Sequence, residues 1–128
     1  MLKLFDLNQQ VKTIVLYGSD KDLCASLQML FQDRYAIVTA CDYTSLITAV
    51  DAAAPALLIA DVLPTERIGA LFGQLKHAHP GLKIVLFYAP RYNDKPLIES
   101  IRRHVDSVLY KPVDLETVTN RVTDFVAA

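Results

Sequence analysis

Short apolar runs alternate along this chain with amphipathic stretches of helical period. The first run, Thr13-Ile14-Val15-Leu16-Tyr17, is β-branched and aromatic with no in–out alternation, the pattern of a strand covered on both faces. Ser19 or Asp20 stands where a helix cap belongs. Leu23, Leu27, Leu30 and Phe31 then recur at i, i+4, i+7 and i+8, one face of a helix. Tyr35 to Ala40 reads as a second strand, and Asp42 caps a second helix with Leu46, Ile47 and Val50 inward, broken by Pro55. Ala56 to Ala60 forms a third strand ending at Asp61. The helix after Pro64-Thr65 carries Ile68, Leu71, Phe72 and Leu75, and Pro80-Gly81 makes a turn. Leu82 to Tyr88 is a fourth strand, with Pro90 and Asn93 in the loop before a helix bearing Leu97, Ile98 and Ile101. Val105 to Tyr110 is a fifth strand. Asp114 caps a last helix with Leu115, Val118, Val122, Phe125 and Val126 inward.

Strands bridged by helices must run parallel, with helices on both faces and right-handed crossovers. The expectation is an α/β fold, a doubly wound five-stranded parallel sheet. The carboxyl ends of its strands gather on one edge, where ligands bind in open sheets of this kind. Gly18, Ser19, Asp61, Tyr88 and Lys111 would meet there although they lie far apart in sequence. Asp61 is the most informative of them: a carboxylate at the exit of a buried strand is fixed by the scaffold and open to solvent.

Composition narrows the function classes. The 128 residues fit one domain, with residues 1–11 as an N-terminal extension, and 52% are hydrophobic, enough for a core without disulfides or metals. A formal net charge of −1 argues against general nucleic-acid or membrane-surface binding. Cys24 and Cys41 match no metal spacing and read as reduced cysteines packed near the core. No apolar stretch approaches the roughly 18 residues of a membrane span, and the N-terminus lacks a signal-peptide apolar region. The expectation is a soluble, cytoplasmic protein.

At this point the chain resembles the receiver domain of two-component response regulators, from about Lys12 to Val126. The resemblance rests on Asp61 ending the third strand, on Asp61-Val62-Leu63-Pro64 with the later Gly69, and on Lys111-Pro112 after the fifth strand. It implies a flavodoxin-like (βα)5 fold with strand order 2-1-3-4-5. It also implies phosphoryl transfer from a histidine kinase to Asp61, a phosphoryl contact from Lys111, and a cis bond before Pro112, which only X-Pro bonds adopt cheaply. Such a domain is a signalling module and not an enzyme, beyond helping its own phosphorylation and dephosphorylation.

Against that pattern stand several departures. The acidic pair that holds Mg²⁺ in the family falls on Gly18-Ser19, the small Ser/Thr ending the fourth strand falls on Tyr88, and the switch aromatic falls on Val108; the loop proline comes one residue early. Asp61 is then the one carboxylate clearly aimed at the site. Asp20 either swings inward or caps the first helix. Each missing carboxylate, about 5 Å from a divalent ion, removes roughly 2 kcal/mol even in water, so Mg²⁺ binding is expected to be weak or absent. Asp61 and Lys111 are expected to form an ion pair. Tyr88 either fills the space of the switch aromatic and fixes one conformation, or is an ordinary strand aromatic.

Lesser candidates are His77 and His79, which do not share a helix face and read as favourable charge at a helix C-terminus. Arg102-Arg103-His104 reads the same way. It also lies on the fourth-helix, fifth-strand, fifth-helix face, which the resemblance associates with homodimers or output partners. Leu2, Leu4, Phe5 and Leu7 either cover a sheet edge or contact another chain. Three functions compete. The first is an atypical receiver acting as a protein-interaction module, with a histidine kinase or other signalling protein as partner, no membrane, and no nucleic acid bound by this domain alone. The second is a working phospho-receiver on Asp61. The third is a flavodoxin-like cofactor enzyme, for which Gly18-Ser19 is too short a phosphate loop.

Overall fold

In the computed structural model, which describes residues 11–90 and 95–127, five strands and five helices alternate. They are β1 (Thr13–Gly18), α1 (Lys21–Phe31), β2 (Ala36–Ala40), α2 (Tyr43–Ala53), β3 (Leu57–Asp61), α3 (Glu66–Ala78), β4 (Lys83–Tyr88), α4 (Lys95–Arg102), β5 (Ser107–Tyr110) and α5 (Leu115–Ala127). All pairings are parallel and the order is β2-β1-β3-β4-β5, as expected. Asn93 and the apolar residues Leu2, Leu4, Phe5 and Leu7 lie outside the described residues.

The sheet divides the core. On one side Val15, Leu58, Ala60, Ile84 and Leu86 meet Leu46 and Val50 of α2, Ile68, Phe72 and Leu75 of α3, and Ile98 and Ile101 of α4. On the other, Ile14, Leu16, Ile59, Val85, Phe87 and Leu109 meet Leu27 and Phe31 of α1 and Val118, Val122 and Val126 of α5. A fully buried side chain of this size contributes about 1.5–3 kcal/mol. These two layers therefore anchor the central strands, and their carboxyl ends are rigid platforms. Ile47 and Leu115, expected inward, are exposed; each lies at the flank of a helix whose other apolar residues already cover the sheet. Cys41 is also exposed, while Cys24 is half-buried, and both thiols are free.

Caps fix the loops at the sheet's carboxyl edge. Asp20 accepts from the Leu23 backbone N–H at 3.0 Å and Thr65 from that of Ile68 at 3.0 Å. Asp42 and Ser45 form a reciprocal capping box on α2. The backbone N–H of Ser45, and then its hydroxyl, hold the Asp42 carboxyl below its usual range. A depressed folded-state pKa gives stability that is present above the unfolded value, about 3.9, and lost as pH falls through the folded value. Asp42→Ala should therefore be less stable than the parent at neutral pH, and the gap should narrow below about pH 4. Unfolding curves across that range check it; a gap independent of pH would contradict it.

Distant residues clamp the other edge. Asp106 Oδ2 accepts from Lys76 Nζ at 2.7 Å and from the Ile84 backbone N–H at 2.8 Å, and Lys76 also donates to the Leu82 carbonyl. His79, the residue after α3, pairs with Asp51 of α2 at 3.0 Å. That contact gives His79 a structural role beyond charge at a helix end, whereas His77 is exposed in the last turn of α3.

Candidate functional site

Asp61 is the last residue of β3, flanked in register by Gly18 of β1 and Phe87 of β4. Lys111 follows β5, and its backbone N–H donates to the Tyr88 carbonyl at 2.9 Å. This bond extends the β4–β5 pairing and brings the lysine over the sheet edge. The Lys111-Pro112 bond is cis. Lys111 Nζ donates to Asp61 Oδ1 at 2.9 Å. The Asp61 side chain is 14% exposed and that of Lys111 35%, so the pair is half-screened by solvent.

Around it lies a cavity of about 400 Å³. Ser19 and Asp20 line it from the β1–α1 loop, Val62, Leu63 and Pro64 from the loop after β3, and Phe87, Ala89 and Lys111 from the far side. A larger hollow, about 670 Å³, opens at the opposite edge of the sheet near Thr13, Pro55 and Pro80, and among the described residues no carboxylate lines it. The chemistry-bearing residues are therefore at the smaller cavity.

Of the residues expected at the strand ends, Gly18, Ser19, Asp61 and Lys111 converge. Tyr88 does not line the cavity. It is 4% exposed and buried in the layer with Ile84 and Leu86, its ring 6.0 Å from that of Tyr110. Side chains alternate across a strand, so Phe87 and Ala89 reach the edge where Tyr88 cannot. The small residue beside the Asp61–Lys111 pair is Ala89. Val108 is half-buried against the same layer as Tyr88. Tyr110, whose pattern in the sequence marks it only as the end of a strand, is exposed and accepts from Arg102 Nη2 at 2.6 Å.

Among the described residues, two carboxylates border the cavity. Asp61 Oδ1 holds Lys111, and Asp20 Oδ1 holds the first turn of α1. Gly18 supplies no side chain. Among the described residues no group of three or more His, Cys, Asp and Glu is placed to hold a metal ion. Cys24 of α1 feels the same charges: its thiol is pushed up by burial, then by Asp61 and Asp20.

No family model and no curated protein matches the sequence. Solved structures do match in fold. The signal receiver domain of an HD domain-containing protein from Pseudomonas fluorescens superimposes with TM-score 0.79 at 19% identity, covering 92% of this chain and 96% of that one. The N-terminal receiver domain of a response regulator from Bacteroides fragilis gives 0.75 at 20% identity, over 90% and 96%. A proposed pilus assembly-related protein from Burkholderia pseudomallei gives 0.73 at 21% identity, over 91% and 90%. The fold is that of receiver domains.

Proposed function

We propose that this chain is a receiver-like signalling domain that acts through protein–protein contact, with Mg²⁺-dependent phosphorylation of Asp61 weak or absent. The observation that carries this reading is the state of the two carboxylates that border the cavity among the described residues. Asp61 is neutralised by Lys111 at 2.9 Å, and Asp20 is turned to capping α1. Magnesium asks for near-octahedral oxygen ligands, usually one or two carboxylates with waters and phosphate oxygens. A Ser19 hydroxyl and a Gly18 carbonyl do not replace charge, so the donor set does not fit the ion. Its partners on this reading are a histidine kinase or another signalling protein. The α4–β5–α5 face, where Tyr110 and Leu115 are exposed, is the surface offered to such a partner or to a second copy.

A second reading, a phospho-receiver on Asp61, is favoured by one observation. Ala89, and not Tyr88, borders the cavity, which leaves room for a phosphoryl group beside Lys111. Magnesium separates the two. An ion present at a hundred times its dissociation constant stabilises the folded state by about 2.7 kcal/mol. Thermal unfolding with and without millimolar Mg²⁺ should give the same midpoint; a rise that disappears in Asp61→Asn would favour the second reading.

A further inference from the structure

We infer that the outer edge of β2 is a self-complementary surface at which two copies of this chain join their sheets. β2 and β5 are the edge strands, and their edges differ. β5 is flanked by cations: Arg121 donates to Ser107, Arg102 donates to Tyr110, and Lys111 follows the strand. Charges of this kind blunt an edge. β2 reads Ala36-Ile37-Val38-Thr39-Ala40, with no charge and no proline, and its register against β1 runs without a bulge. Among the described residues no strand pairs with its outer side.

The ladder shows which groups this edge presents. The Ala36 backbone N–H donates to the Lys12 carbonyl. Alternate residues of a paired strand turn their backbone groups to the neighbour, so Ala36, Val38 and Ala40 face β1. Ile37 and Thr39 therefore turn their N–H and C=O groups outward. A second copy related by a two-fold axis at Val38 meets these groups in register. The two β2 strands then run antiparallel, and each Ile37 exchanges both backbone bonds with the second copy's Thr39. The two Val38 residues form the closer, non-hydrogen-bonded pair between them. Each face of the sheet also continues into its counterpart: Ile37 packs on the layer of α1 and α5, and Val38 on that of α2, α3 and α4. Beyond the strand ends the same register sets Arg34 opposite the second copy's Asp42, and both residues are exposed. A neutral, β-branched edge closed at each end by opposite charges fits a copy of itself better than an acidic or a basic segment. Because β5 is the far edge of the sheet, the dimer leaves both α4–β5–α5 faces free at its outer ends. One assembly then offers two of the partner surfaces proposed above. The contact is short, so the dimer is expected to be weak and concentration-dependent.

The test is sedimentation velocity of the full chain from micromolar to millimolar concentration, on the parent, Thr39→Pro, Thr39→Lys and Leu115→Asp. Proline at position 39 removes an outward N–H and leaves the bonds to β1 in place, and lysine there adds charge to an exposed edge position. The parent should pass from monomer to dimer as concentration rises. Both Thr39 variants should raise the dissociation constant roughly tenfold or more, and Leu115→Asp should leave it unchanged. Thr39→Lys decides alone if the proline variant does not fold. With Cys24 and Cys41 replaced by serine, Val38→Cys should cross-link as a dimer in oxidised glutathione, and a dimer that does not cross-link there would overturn the register. A parent that stays monomeric throughout would overturn the inference. So would a dimer that survives both Thr39 variants or is lost only in Leu115→Asp, which would move the self-contact to the α4–β5–α5 face. None of these outcomes depends on whether Asp61 takes a phosphoryl group.

Discussion

Phe87→Ala should lower the unfolding free energy by about 3–5 kcal/mol, the range for removing a buried aromatic ring. The ring is 1% exposed and packs in the layer beneath α1 and α5. It also forms a wall of the cavity and flanks Asp61 in register. Truncation therefore removes core packing and leaves a void directly under the site, which the rigid central strands cannot collapse to fill. Phe87→Leu, which keeps most of the volume, should lose much less, below about 1.5 kcal/mol. Urea unfolding of the three proteins measures this from the midpoints at unchanged slope. A loss below about 1 kcal/mol for the alanine variant would mean that the site does not stand on this core.

Breaking the Asp61–Lys111 pair from one side should cost more than removing both charges. Exposed ion pairs contribute about 0–1 kcal/mol, and breaking a buried one costs about 3–5. With side chains 14% and 35% exposed, this pair falls between, and Lys111→Met is expected to lose about 1–3 kcal/mol. The loss comes mainly from the Asp61 carboxylate left in a half-closed cavity without its cation. Adding Asp61→Asn removes that charge while keeping its shape, so the double variant should recover most of the loss, with a coupling of about 1 kcal/mol. High salt should shrink the coupling, because water reaches the pair. Strict additivity in a double-mutant cycle would count against an ion pair as the resting state of the site.

The order of elements was legible because each strand is a short apolar run closed by a turn residue, and each helix carries a face of period 3.6. Asp61 and Lys111 were legible for the same reason: they stand at the exits of such runs. Tyr88 ends β4 as expected, but its side chain lies in the core layer with Ile84 and Leu86, and β4 is buried on both faces. A strand without polar alternation does not reveal in sequence which residue at its end faces the cavity; in the structure Phe87 and Ala89 do. Side-chain contacts across the fold left no sequence signal either. Asp51–His79 and Lys76–Asp106 join residues 28 and 30 positions apart, and nothing local marks them. Gly18 is intermediate. The glycine was plain where an acid was expected, but its reason, the nearness of the Asp61 main chain, exists only once β1 and β3 are paired.

Asp61, held by Lys111 at 2.9 Å, is expected to resist phosphorylation. The most direct measurement of this is the intact mass of the protein after incubation with a small phosphodonor and Mg²⁺, run beside Asp61→Asn. No phosphoryl adduct is expected on either protein. An adduct on the parent that is absent from Asp61→Asn would contradict it and make this cavity a working phospho-acceptor site.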